Sequence, residues 1–283
     1  MKPQFEEKTY ESYFNSELDK KASIYFPFGQ CQEGYLGVDS SAYVDLVFFS
    51  RVLGFPLNPA LLNGRNMLDI ADDMERILKV SIRNMPNIKV NLLLQYKRSD
   101  YITSSKGKEW NYWKESYYRY DIYRTQQKLL DELSKSIANQ ALILYVAPAI
   151  FKIDDLIDKK INEKIIENSN FALASKLSTH HRNTYTKSGC YSIACSEPER
   201  IEKFNLLSTL ERMEVVNGDN SELIKQFAEE IKNVIAKNEF YGSAFLTALS
   251  QYEQLREFEL LYAHIVIAVL KEITGLNWLV ATA

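Results

Sequence analysis

The stretch from Ile88 to Lys97 limits the possible folds more than any other segment. Its centre, Leu92-Leu93-Leu94, is continuously apolar and shows no alternation between a dry face and a wet one. A half-exposed strand alternates, so this run is expected to be a strand covered on both faces. A second run of the same kind, Ala141 to Val146, is closed by Pro148.

The segments around these strands carry helical spacing. Tyr10, Tyr13, Phe14 and Leu18 predict a helix over 5–20, and Met67, Ile70, Met74, Ile77 and Leu78 predict one over 66–79. Tyr118, Ile122, Leu129, Leu133 and Ile137 predict an amphipathic helix from Trp113 to Ile137. Residues 30–37 are expected to form a short helix or turn ended by Gly37, and Val38 to Ser50 a strand. Residues 99–112 read as a polar loop with Lys106 and Lys108 at its tip.

The rest of the chain reads as mainly helical. Helices are expected over 153–166, over 221–235 and, as one or two pieces, over 240–273. Asp219 followed by Glu222 resembles a capping box for the second of these. Residues 179–200 show no period and are expected to be a long polar connection. The expected organisation is therefore an α/β part over 1–150 and a helical part over 151–283 packed on it.

With 46% hydrophobic residues, the chain has ample material for a core. The net charge of -3 gives no overall basic field, which leaves a local basic strip as the route to nucleic acid. Three cysteines, Cys31, Cys190 and Cys195, make an odd count that argues for a reducing compartment. The opening residues Met1 to Glu7 contain no apolar core of a signal peptide. The longest apolar stretch, Phe258 to Leu270, is interrupted by Glu259 and His264 and is too short to span a bilayer. A cytoplasmic protein without a membrane partner is expected.

Chemistry concentrates at the end of the covered strand. In Gln95-Tyr96-Lys97, side chains alternate, so Gln95 and Lys97 share a face about 7 Å apart. Burying a lysine is costly unless it is paired, so such a residue sits at an edge, where it reaches solvent, or at a site. Upstream, Glu33 and Asp39 flank Gly37. Two carboxylates, a neutral carbonyl and a lysine are the groups a divalent-metal phosphodiester hydrolase uses: Mg²⁺ takes oxygen ligands and activates water, and a lysine offsets the growing negative charge.

The order of a helix with Glu, a strand opening with Asp, a strand ending in Gln-x-Lys, a helix and a strand resembles the PD-(D/E)XK nuclease superfamily, over roughly residues 25–150. The resemblance implies a restriction-endonuclease-like αβββαβ core and a Mg²⁺- or Mn²⁺-dependent endonuclease. Within it, Glu33 would be the acid of the first helix and Asp39 the central metal ligand. Gln95 would offer its carbonyl oxygen, and Lys97 would act on the attacking water. Some members, including nucleases of bacterial defence systems, carry Gln before x-Lys, so a role in antiviral defence with a partner protein is implied. The Gln removes one negative charge from the metal site. The long gap from Asp39 to Gln95 also leaves Asp45, Asp69, Asp72 and Asp73 as alternative ligands, although the acids of the 66–79 helix lie on its polar side.

Arg98, Lys106, Lys108 and Lys114 follow the motif, with Arg119 and Arg124 beyond and Tyr101, Trp110, Tyr112 and Trp113 among them. Cations neutralise phosphates and aromatics stack on bases, so this suits a nucleic-acid strand as well as a solvated helix face. His181, if its loop folds over the Lys97 face, is a further contact to substrate. His180-His181 with Cys190 and Cys195 invites a zinc reading, but the cysteine spacing is wider than usual and no second pair exists. A nucleophilic cysteine would need a histidine base, and His264 in its apolar helix reads as a core residue. Three functions follow from the sequence: a metal-dependent nuclease, a non-catalytic relative that binds or regulates, and a helical protein that dimerises through its C-terminal helices.

Overall fold

The computed structural model describes residues 1–26, 67–188 and 191–283. Glu33, Asp39, Asp45, Cys31 and Cys190, with the helix or turn expected at 30–37 and the strand expected at 38–50, lie outside the described residues.

The protein is a mixed α/β structure. Among the described residues its helices are α1 (Glu7–Lys21), α2 (Met67–Asn84), α3 (Trp110–Trp113), α4 (Arg124–Ser136), α5 (Ile153–Ile161), α6 (Leu206–Arg212), α7 (Asn220–Ala236), α8 (Gly242–Ser250) and α9 (Glu259–Thr274). The strands are β1 (Ile24–Tyr25), β2 (Ile88–Tyr96), β3 (Asp100–Ile102), β4 (Tyr117–Asp121), β5 (Ala141–Pro148), β6 (Ser169–Leu173), β7 (Arg182–Tyr185), β8 (Ser192–Cys195), β9 (Glu199–Ile201) and β10 (Asn277–Thr282). They form two five-stranded sheets, ordered β1-β10-β2-β5-β6 and β3-β4-β7-β8-β9. No described helix is long and apolar enough to cross a membrane.

The chain divides into two compact units, and not at residue 150. One comprises residues 1–23, 93–135 and 142–213, the other residues 24–92, 136–141 and 214–283. In the first unit, α1 turns Tyr10, Phe14 and Leu18 inward. The Phe14 ring meets Tyr96 at 5.6 Å and Phe171 at 5.9 Å. Buried phenols in this core are hydrogen-bonded, as burial of a polar group requires. Tyr10 shares a hydrogen bond with Ser169, and Tyr96 donates to Asn15, each at 2.6 Å. Tyr145 donates to Gln127 and Tyr185 to the Pro148 carbonyl, each at 2.9 Å. In the second unit, Trp278 of β10 stacks on Phe227 of α7 at 5.8 Å and donates its indole N–H to Asn91 at 2.8 Å.

The covered strand is present as expected: every residue of β2 except the half-buried Lys89 is buried. Helix α2 matches its period, although Ile77, expected to face inward, is exposed. The expected cap of α7 forms, with Asp219 accepting from the Ser221 and Glu222 amides at 2.9 and 3.2 Å.

Three expectations are corrected. The helix expected from Trp113 to Ile137 is split into α3, β4 and α4. Lys114 takes the left-handed conformation (φ 54°) that ends α3, and the tyrosines of Tyr117-Tyr118-Arg119-Tyr120 suit a pleated surface instead. The loop expected over 99–112 begins as β3 and ends as α3. The C-terminal part is mainly helical, with α5 to α9, but it also contains β6 to β10, and the connection expected over 179–200 is the antiparallel ribbon β7-β8-β9. Polar residues fill inward positions there, so no apolar alternation announces the strands. Asn183 and Thr184 are buried, donating to the Tyr120 hydroxyl and the Ile193 carbonyl, each at 3.0 Å.

Candidate functional site at the end of strand β2

Lys97 follows β2 directly, and its amide donates to the Val146 carbonyl of β5 at 2.9 Å, which fixes the backbone of the motif. The side chain is buried, at 8% exposure. Its ammonium donates to Gln126 Oε1 of α4 at 2.7 Å. Gln126 Nε2 donates to Gln95 Oε1 at 2.6 Å, and Gln95 Nε2 to its neighbour's carbonyl, Tyr96 O, at 3.2 Å. Gln95 and Lys97 are thus joined through one intervening amide.

Two rings flank the ammonium, Tyr123 at 5.2 Å and the buried Tyr145 at 5.5 Å from their centroids. Such contacts stabilise a cation without a counter-charge. Burial lowers the Lys97 pKa to about 8, against the opposing pull of Glu7 on α1 and Asp121 at the end of β4. Burial in turn pushes the Glu7 carboxyl above its usual range, with Lys97 lowering it and Glu11, one turn further along α1, raising it. The site therefore combines a poorly solvated amine, two amides and an acid from the first helix.

Asp121 is also held by Arg182 Nε at 2.9 Å, and the same guanidinium donates to the buried Glu109 at 2.8 Å. Burial raises the Glu109 carboxyl, but bonds from Arg182 and Tyr117 outweigh it and hold the group below its usual range.

Of the four expected catalytic residues, the structure brings Gln95 and Lys97 together, while Glu33 and Asp39 lie outside the described residues. Asp69 and Asp72 lie exposed on α2, and Arg76 pairs with Asp72 at 3.2 Å and with Asp73. Among the described residues no group of three His, Cys, Asp or Glu side chains could hold a metal ion. Gln95 Oε1 is an oxygen donor of the kind Mg²⁺ and Mn²⁺ accept, but the described side chains do not by themselves complete a metal site.

The expected nucleic-acid contacts are mixed. Lys106, Lys108 and Lys114 are exposed, and Arg98 is held by Glu6 at 2.8 Å. Tyr101 packs on Tyr118 at 4.8 Å. Trp113 stacks on Tyr191 at 5.3 Å, and the Arg200 guanidinium lies 4.0 Å from the Tyr191 centroid. Tyr112 is exposed. His181 is exposed and shares a hydrogen bond with Ser196 at 2.7 Å, whereas His180 is buried and meets Glu199 at 3.2 Å. Cys195 is a free, buried thiol whose pKa burial raises, the opposite of what a nucleophile needs. His264 is a core residue, with Nδ1 donating to the Leu260 carbonyl at 2.8 Å.

Gln126 and Glu7 were not singled out by sequence reasoning, although a signal existed for each. Gln126 precedes Leu129, Leu130 and Leu133 at inward helical spacing, so an amide stands where a leucine would serve packing. Glu7 and Glu11 are one turn apart and lead into the Phe14 and Leu18 face of α1. No family model, curated protein or solved structure matches the chain.

Proposed function

We propose that the chain is a metal-dependent nuclease that hydrolyses phosphodiester bonds of DNA, or RNA, on a restriction-endonuclease-like core. The observation that carries this reading is the buried Lys97 ammonium at the tip of a covered strand, joined through Gln126 to Gln95 on the same face. In this reading Asp39, Glu33 and Gln95 hold Mg²⁺ or Mn²⁺. The bound cation would supply an activated water and offset charge on the phosphate. Lys97 would place positive charge where the attacking water loses its proton. Glu7, which faces Lys97 from the first helix, adds an acid that steadies the ammonium. Lys106, Lys108, Lys114, Arg98 and His181 are the proposed contacts to the nucleic acid, and a role in antiviral defence in the cytoplasm rests on the family resemblance.

A second reading is favoured by one observation: Gln126 already engages both the Lys97 ammonium and the Gln95 oxygen. A closed set of bonds of this kind suits a nuclease-fold module that binds or regulates without turnover and assembles through its C-terminal helices.

The test is cleavage of double-stranded DNA, single-stranded DNA and RNA with Mg²⁺ or Mn²⁺. Lys97→Ala is expected to lower cleavage about 100-fold or more, with the circular dichroism spectrum unchanged. Unchanged cleavage in that variant rejects the assignment, and binding without any nicking that depends on Asp39 favours the second reading.

A further inference from the structure

We infer that Gln126 is the positioning residue of this site, and that it fixes a one-way chain of hydrogen bonds running from Lys97 through Gln126 to Gln95. The direction follows from donor chemistry. An ammonium only donates, so the Gln126 atom that faces it at 2.7 Å is the carbonyl oxygen. A planar amide then presents its nitrogen on the other side, 2.6 Å from Gln95. Gln95 must receive it with its carbonyl oxygen, which leaves the Gln95 nitrogen to donate to the Tyr96 carbonyl at 3.2 Å. An amide orientation is normally ambiguous between oxygen and nitrogen. Here the lysine removes the ambiguity for both residues, and all three side chains are buried.

The consequence is that the Gln95 oxygen is held in place by a donor rather than free to rotate. A carbonyl oxygen has two lone pairs, and Gln126 takes one. The use of the second for a cation rests on the nuclease reading. The direction of the chain does not.

Two nearly isosteric substitutions separate direction from mere packing, because each adds the same charge beside the same lysine. Gln95→Glu keeps an acceptor where the chain needs one. Gln126→Glu removes the Gln126 donor to Gln95, so the Gln95 amide must turn its nitrogen toward the new carboxylate. In ¹⁵N spectra of the full chain, the Gln126 side-chain amide protons are expected downfield and protected from exchange in the wild type. They are expected to stay so in Gln95→Glu, and the Gln95 amide signals to move in Gln126→Glu. Lys97→Met, which removes the orienting donor, is expected to abolish the protection of Gln126 and provides a second reading if Gln126→Glu fails to fold. With Mg²⁺ and DNA, Gln126→Glu is expected to lose about 100-fold in cleavage.

Freely exchanging Gln126 protons in the wild type, or unchanged protection in Lys97→Met, overturns the inference. Wild-type protein that cleaves no substrate removes the nuclease reading, and the spectra still decide the chain direction.

Discussion

The Lys97 ammonium sits 5.2 Å from the centroid of the Tyr123 ring, and that ring is 66% exposed while the lysine beneath it is 8% exposed. A surface aromatic thus covers a buried amine. With the Lys97 pKa lowered from 10.5 to about 8, the neutral, nucleophilic form appears at a lower pH than for an ordinary lysine. Competitive acylation read residue by residue by mass spectrometry is expected to give Lys97 a midpoint near 8. Tyr123→Ala admits water over the ammonium, so the midpoint should rise and the neutral fraction at pH 8 should fall. A midpoint that stays at the ordinary lysine value in the wild type would show that the amine is hydrated.

Glu75 supplies the cap that α9 lacks in its own sequence. The N-cap position, Phe258, has no side-chain acceptor, and Glu75 of α2 accepts from the Leu260 and Leu261 amides at 3.3 and 2.8 Å. A negative group at a helix N-terminus satisfies free donors and matches the helix dipole. Glu75→Ala is expected to cost about 2 kcal/mol in urea unfolding, by analogy with lost caps and unpaired buried donors. Glu75→Gln, which keeps an acceptor but loses the charge, is expected to cost about half of that. Equal losses for the two would mean that the charge contributes nothing.

Legibility in the sequence followed the physics of each segment. Strand β2 and helices α2, α7 and α9 were readable because apolar side chains dominate their inward faces, and the placing of Gln95 and Lys97 on one face followed from strand alternation. The ribbon β7-β8 was not readable, because Asn183 and Thr184 are buried and donate hydrogen bonds to acceptors that only the folded partners supply. The same holds for the link through Gln126: an amide on an apolar helical face is visible, but which distant donor and acceptor it joins is not. Helix spacing over 113–137 misled because Tyr118 and Ile122 fit a helical period equally well as they fit β4 and the turn that follows it.

Gly107 marks a place where a methyl group has no room. A Cβ built there would lie 2.6 Å from the Tyr117 hydroxyl oxygen and 2.7 Å from Ile102 Cγ2. Tyr117 cannot easily yield, since it is fully buried and donates to Glu109 at 2.9 Å, which in turn holds Arg182 at 2.8 Å. Gly107→Ala is therefore expected to destabilise by about 1–3 kcal/mol, the usual range for overpacking. Adding Tyr117→Phe removes the clashing oxygen and should recover part of that loss relative to Tyr117→Phe alone. No coupling in this double-mutant cycle would mean that the loop shifts away from the strand.

His264 gives the second unit a dependence on acid. Burial lowers its pKa from 6.5 to about 4, opposed by its bond to the Leu260 carbonyl and by the charge of Glu75. The folded state holds the ring neutral, so between these two values the unfolded chain binds more protons and stability rises with pH. The contribution is complete above the unfolded value of 6.5 and is lost as pH falls toward about 4, by an amount on the order of 3 kcal/mol. Urea midpoints of wild type and His264→Gln, compared from pH 7 to pH 4.5, should converge as the pH falls, because only the wild type must take up that proton. Glutamine cannot titrate and keeps a donor for the Leu260 carbonyl, so the difference between the two curves isolates the ring. Parallel curves over the whole range would show that His264 is protonated as readily in the folded core as in water, which its contact with the Trp278 ring at 5.8 Å argues against.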